Sequence, residues 1–345
     1  KSAFGHLSKF SMGSDIADLN NDQKPDVFVL DMLPEDNYRQ KVLKGPDQFN
    51  RERTLVDSGY YHQYMRNTLQ LNRSVAADSS LAFSEQAQLS GISNTDWSWA
   101  PLLADFDNDG LKDIFITNGY LRDFSNLDFT NYTVNEAISQ AQQNNTNVDI
   151  GLLVSKMSST KVSNYIYQNK GEAHFENKTA AWGFEKKTVS NAAAYADFDN
   201  DGDLDLIVNN LNAPIGLYEN TAEKLKHHYL KIQLKGASKN TKALGAKILL
   251  QLNDSTSIFQ EAYYGRGYQA SVEPVLTIGL GNAQIVEELK IIWPGGKIST
   301  LKNVQVDQTL VIDEQDAISN FDSVSKERIT ILKDVTAASM LSYTH

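Results

Sequence analysis

The sequence predicts an all-β chain: a β-propeller of which about three to four blades are visible, followed by a β-sandwich-like domain. Three observations lead there. Three acidic segments align without gaps: DLNNDQKPDVFVL from Asp18, DFDNDGLKDIFIT from Asp105 and DFDNDGDLDLIVN from Asp197. Each runs straight into a short apolar strand with period-two alternation, and helical periodicity is nearly absent. After Asn220 the acidic loops stop, and short alternating runs joined by Gly-rich turns take over.

The repeat extends upstream of the second and third acidic loops. Phe83 and Phe175 stand at the same offset before Asp105 and Asp197, and Gly91 and Gly183 share a second common offset. Further upstream, NTLQLN (67–72) and NYIYQN (164–169) alternate like strands between asparagines. The unit therefore reads as strand, turn, strand at the Phe, turn, short strand ending at Ala104 or Ala196, acidic loop, apolar strand. Four short antiparallel strands per repeat make a propeller blade. PIGLYEN (214–220) supplies one further outer-strand fragment, which takes the propeller region to 1–221. A closed propeller needs about four blades or more, so the remaining ones are expected before Lys1.

Two insertions interrupt the repeats, at 34–66 and 120–163; they carry charge, aromatics and helix-compatible runs such as NEAISQAQQ. Long insertions in compact domains usually serve a function, which makes these the expected contact surfaces. The region 228–314 (YLKIQLKG, GAKILLQL, PVLTIGLG, VEELKIIWPGG) reads as a separate β domain, with Gly265–Gly267 and Gly279–Gly281 as turns. Residues 315–328 read as a linker, and 329–345 as the start of a further propeller-like domain.

Composition excludes several functions. The 345 residues carry 43 Asp plus Glu against 32 Lys plus Arg, a net charge of −11, and no Cys. Disulfide scaffolds and zinc-thiolate sites are ruled out, and a nucleic-acid surface would need a basic face. No apolar run approaches the ~18 residues of a membrane helix. The six histidines lack metal-binding spacing, and no nucleophile elbow or phosphate loop occurs. The chain is expected not to be an enzyme. A glycan-active hydrolase or lyase would need paired carboxylates outside the acidic loops, and Asp96 and Glu136 are single candidates. Trp97, Trp99, Tyr60, Tyr61 and Tyr64 form a group able to stack on sugars, or to serve as core.

The acidic loops themselves suit calcium. In DFDNDGLKD the carboxylates fall at positions 1, 3, 5 and 9, with Gly at 6, and calcium takes six to eight oxygens from such a loop. An EF-hand would need Glu at position 12, where Ile116, Val208 and Val29 stand. One Ca²⁺ is expected on Asp105, Asp107, Asp109 and Asp113 with the Leu111 carbonyl. A second is expected on Asp197, Asp199, Asp201 and Asp205 with the Asp203 carbonyl. The first loop offers a third, poorer set, Asp18, Asn20, Asp22 and Asp26 with the Lys24 carbonyl, because Asn20 replaces an Asp and Gln23 a Gly. Calcium saturated by loop oxygens serves stability rather than catalysis.

These loops resemble FG-GAP (VCBS-type) propeller repeats. The region 228–314 resembles the ASPIC/UnbV domain, through LGAKI (244–248), YGRGYQAS (264–271), LTIGLGNA (276–283), IIWPGGK (291–297) and VQVDQTLVI (304–312). The order of the two is similar to cartilage-acidic-protein-like proteins. The resemblance implies an exported, calcium-binding, non-catalytic module, a fragment of a larger bacterial protein at the outer-membrane surface or outside the cell. Its implied partner is a protein, with a SusC/SusD-like outer-membrane uptake complex as the sharpest form; a glycan or peptide ligand and matrix adhesion are the alternatives.

Overall fold

The computed structural model describes residues 3–45, 48–74 and 81–320. The first blade runs β1 (Ser14–Ala17), β2 (Asp26–Val29), β3 (Thr68–Asn72) and β4 (Phe83–Glu85), antiparallel and in chain order. The second repeats it with β5 (Ser98–Ala104), β6 (Asp113–Asn118), β7 (Tyr165–Asn169) and β8 (Phe175–Asn177). The third has three strands, β9 (Ser190–Ala196), β10 (Asp205–Asn210) and β11 (Gly216–Tyr218). With the two sheets of the second domain, the described residues hold five sheets of three or more strands.

The apolar strand after each loop explains how blades stack. All six residues of β6 are buried. Ile114 and Ile116 join a core with Phe28, Leu69 and Leu71 of the first blade, whereas Phe115 between them joins Leu206 and Val208 of the third. A strand buried on both faces needs a continuous apolar run, and DIFIT provides one. The inner strands meet closely: Asp15 Oδ2 accepts from the N–H of Leu103 (2.9 Å), and a side chain on Gly13 would lie 2.1 Å from the Trp99 carbonyl. Pro101 is tolerated because β5 lies at a sheet edge.

The insertions fold into helices. Between β2 and β3 lie α1 (Asn37–Leu43) and α2 (Phe49–Asp57); between β6 and β7 lie a π-helical turn (Phe129–Val134), α3 (Asn135–Gln143) and α4 (Ile150–Lys156). Asp36 caps α1 by accepting from Arg39 N–H (2.8 Å), and Asp149 caps α4 by accepting from Leu152 N–H (2.9 Å). Arg39 ties the first insertion to Asp96 as a fork (2.7 and 2.9 Å), whereas Ser158 and Thr160 donate to Asp123 (2.8 and 2.6 Å) and draw the two ends of the second insertion together.

The second domain comprises β12 (His228–Lys235), β13 (Lys247–Asn253), β14 (Thr256–Glu261), the short pair β15 (Gly265–Arg266) and β16 (Ala270–Ser271), β17 (Leu276–Gly281), β18 (Ile285–Ile292), β19 (Lys297–Gln305), β20 (Gln308–Asp313) and β21 (Ser319–Asn320). A sheet ordered β17-β12-β20 faces one ordered β14-β13-β18-β19-β21, over a core that includes Trp293, Leu230, Ile248 and Leu289. The pairing of β21 with β19 carries the domain to Asn320, into the stretch read as linker. The expected further domain at 329–345 lies outside the described residues.

One reading of the second domain is corrected. Gly279 and Gly281 are not a turn; they lie in β17. A Cβ on Gly279 would fall 2.2 Å from Asp105 Oδ2, so glycine is what lets β17 press against the second acidic loop.

Candidate metal centres in the acidic loops

The three loops share one hydrogen-bond skeleton. The carboxylate at position 9 ties the loop to its own start and to the third strand of the blade: Asp26 Oδ2 and Oδ1 accept from Leu19 and Asn72 N–H (2.9 and 2.8 Å). Asp113 accepts from Phe106 and Asn169 (3.0 and 2.8 Å), and Asp205 from Phe198 and Asn220 (2.8 and 2.7 Å). The carboxylate at position 1 accepts from positions 5 and 6, as Asp105 does from Asp109 and Gly110 (3.1 and 2.8 Å) and Asp197 from Asp201 and Gly202 (3.1 and 3.0 Å). Gly110 and Gly202 take positive φ (94° and 99°) to aim that last N–H.

Asparagines stitch neighbouring loops. Asn21 donates to the Gly110 carbonyl (3.0 Å) and Asn108 to the Gly202 carbonyl (3.1 Å). The strand-end Asn169 and Asn220 donate to the Leu19 and Phe106 carbonyls of the preceding blade's loop (2.8 and 2.7 Å). These residues were missed as site elements, although an asparagine closing NTLQLN, NYIYQN and GLYEN in turn was the signal.

Two predicted sets converge. Oxygens of Asp105, Asp107 and Asp113 lie within 4.8 Å of one another, as do those of Asp197, Asp199 and Asp205. Asp109 turns an oxygen to Leu111 N–H (2.8 Å). Asp201 instead groups with Asp203 and Glu223; Asp203, expected to offer its carbonyl, also directs its side chain to Ala222 N–H (2.8 Å). In the first loop, among the described residues, no such group of three forms. There the Asn20 amide, with its nitrogen inward, donates to Asp18 and Asp22 (3.1 Å each), and Lys24 pairs with Asp22 at 3.4 Å.

The electrostatics of the second loop call for a cation. Burial, then repulsion from Asp109 and Asp107, drives the Asp105 carboxyl well above its ordinary range; burial, then Asp107 and Asp105, does the same to Asp113. Asp109 is pushed to about 6 by burial and Asp107. In the third loop, burial and Asp201 push Asp203 to about 7, and the Asp203 Oδ1 is buried without a partner among the described residues. The donors of both loops are all hard oxygens. A divalent cation such as calcium fits this set, because it supplies the missing charge and accepts oxygen ligands only.

The second domain adds its own cations, which no motif announced. Lys231 Nζ sits 2.6 Å from Asp197 Oδ2 in the third loop, both side chains buried. Arg266 reaches Asp15 Oδ1 and the Ile16 carbonyl (2.8 Å each) among the inner strands. In the other direction, Lys112 of the second loop itself donates to the Phe259 carbonyl of the second domain (3.2 Å).

The rival candidates are otherwise engaged. Asp96 is paired by Arg39, and Glu136 is exposed on α3, accepting from Gln140 (3.1 Å). The aromatic group divides. Trp97 packs on Tyr120 (4.3 Å) and Trp99 on Tyr268 (5.2 Å), whereas Tyr64 packs on His6 (5.1 Å). No described helix is long and apolar enough to cross a membrane.

Comparison with known proteins agrees with this architecture. Residues 145–208 match the family model of the FG-GAP-like repeat, and residues 236–319 that of ASPIC and UnbV. Cartilage acidic protein 1 of Xenopus tropicalis is 31% identical over 123 residues, 35% of this chain and 18% of that protein. The chain thus spans less than a fifth of the relative's length in that match. An FG-GAP-like repeat within a β-propeller and an ASPIC/UnbV-type domain after it are both present, as the resemblance implied.

Proposed function

We propose that the chain is a non-catalytic, calcium-stabilised binding and assembly module at a bacterial cell surface, accessory to a SusC/SusD-like outer-membrane uptake complex. Asp105, Asp107, Asp109 and Asp113 with the Leu111 carbonyl, and Asp197, Asp199, Asp201 and Asp205 with the Asp203 carbonyl, are its calcium ligands. The bound ion supplies charge balance and rigidity to the loops against which the second domain rests. The observation that carries the binding role is apolar exposure on the two insertions: Tyr38 (70%), Phe49 (74%), Tyr132 (72%) and Ile150 (72%) face solvent. Large apolar side chains left in solvent on long insertions favour a partner surface there.

A tagged full-length protein purified from native membranes, in calcium and in chelator, tests this. A stoichiometric transporter pair lost on chelation supports the reading; recovery of the protein alone contradicts it. The name of the cartilage acidic relative favours a second reading, matrix binding by an exported propeller, which calcium-dependent adhesion to a matrix ligand without a transporter partner would establish.

A further inference from the structure

The second and third acidic loops, DFDNDGLKD and DFDNDGDLD, diverge only at their seventh and eighth positions. There Leu111 and Lys112 give way to Asp203 and Leu204, so the third loop trades a cation for one more carboxylate. Lys231 of the second domain restores a positive charge at Asp197 (2.6 Å), on the first residue of the loop. Nothing comparable reaches the added carboxylate: among the described residues, no ion pair involves Asp201, Asp203 or Glu223.

Asp203 is fixed in place by the chain that leaves the propeller. After β11 that chain makes one turn of 3-10 helix, Ala222–Leu225, before entering β12. Asp203 Oδ2 accepts from the N–H groups of Ala222 and Glu223 (2.8 and 3.3 Å), and the side chain is 1% exposed. Its other oxygen, Oδ1, is buried and has no partner among the described residues. The same contacts bring Glu223 to the loop, and oxygens of Asp201, Asp203 and Glu223 lie within 4.8 Å of one another. Asp201 is held as well, by accepting from the Asp203 N–H (3.2 Å).

Three carboxylates that converge on a buried, unsatisfied oxygen call for a group that accepts several oxygens at once. A proton can bridge only two of them. A hard divalent cation serves all three and leaves its remaining positions to water on the exposed side of Glu223.

We propose that Asp201, Asp203 and Glu223 form a further divalent-cation site, for calcium or a similar hard cation, beside the Asp197, Asp199 and Asp205 set and joined to it through Asp201. The proposal rests on the calcium reading of the third loop only for that shared ligand. Its consequence lies at the domain junction, because Glu223 belongs to the segment that runs from β11 into β12. The ion ties that junction to the third loop. Two cations that share a carboxylate repel each other, so this site fills last, at about 10⁻⁴–10⁻³ M calcium.

Equilibrium dialysis of the full chain against radioactive calcium tests the site. Glu223→Gln and Asp203→Asn should each take up one ion fewer than the wild type at ~1 mM calcium and the same number at ~0.01 mM. Equal uptake by Glu223→Gln and the wild type at the higher concentration would overturn the proposal. Glu223 is exposed, and Asn at 203 keeps an acceptor for the Ala222 N–H, so both variants retain the fold; unchanged uptake at the lower concentration verifies it. The loop sites are judged separately. If Asp107→Asn and Asp199→Asn bind as the wild type does while Glu223→Gln loses an ion, the loop assignment fails and this site stands. Position is read by a lysine-specific protease: cleavage after Lys224 and Lys226 should slow at least fivefold between ~0.01 and ~1 mM calcium in the wild type. It should not slow in Glu223→Gln, and equal slowing in both would also overturn the proposal.

Discussion

The second and third acidic loops begin with the same six residues, DFDNDG, and fold on the same hydrogen bonds, yet their surroundings differ. The second lies under β17, with Asp105, Asp107 and Asp113 all buried; among the described residues no ammonium is paired with them, and the buried Lys112 only partly offsets the raised Asp105 carboxyl from a distance. The third has an exposed Asp199 and a resident cation, Lys231, on Asp197. The motif fixes the skeleton; the surroundings set how much positive charge the loop still requires. The second loop should therefore bind calcium more tightly, and the third should tolerate its loss.

The largest effect is expected from Asp113→Ala. It leaves the N–H groups of Phe106 and Asn169 without their acceptor and removes a calcium ligand, at a cost on the order of 3 to 5 kcal/mol, since each buried unsatisfied group costs ~1–3 kcal/mol. Asp205→Ala, on the more exposed loop, should cost less; equal losses in denaturant melts would erase the distinction.

Lys231→Met sharpens the contrast from the other side. In chelator it strands the buried Asp197 carboxylate and should destabilise by about 3 kcal/mol. With calcium present the loss should shrink, because the ion replaces the ammonium. An unchanged Tm difference in the two conditions would show that Lys231 and calcium do not share the loop.

Gly279→Ala should cost about 1–3 kcal/mol by forcing β17 off the second loop, and should weaken calcium binding there while sparing the third. A last effect concerns pH. In metal-free protein the Asp109 carboxyl titrates at about 6, above its unfolded value of 3.8. A carboxyl raised on folding adds stability that is full below pH 3.8 and is lost as pH rises through 6. Chelated protein should lose stability from pH 4 to 7, and calcium should remove that slope.

Much of this was legible in the sequence because it is local or repeated. Aligned copies gave the blade, its loop and its inner strand, and the odd-numbered carboxylates gave the ligand candidates. What escaped lies between residues far apart in the chain. Lys231 meets Asp197, Arg266 meets Asp15 and Gly279 meets Asp105 only after two domains dock, and no spacing rule reports such contacts. For the same reason the GLG segment read as a turn, although its glycines serve a close approach within a strand. Asn20 was visible as a departure from the acidic pattern, but its donation to both Asp18 and Asp22 required the folded loop.

Calorimetric titration of the chelator-stripped chain with calcium, for the wild type, Asp107→Asn and Asp199→Asn, addresses the central claim most directly. Two binding classes are predicted, the tighter abolished by Asp107→Asn and the weaker by Asp199→Asn, with Tm rising as the first fills. No binding heat together with a Tm indifferent to calcium would contradict the account.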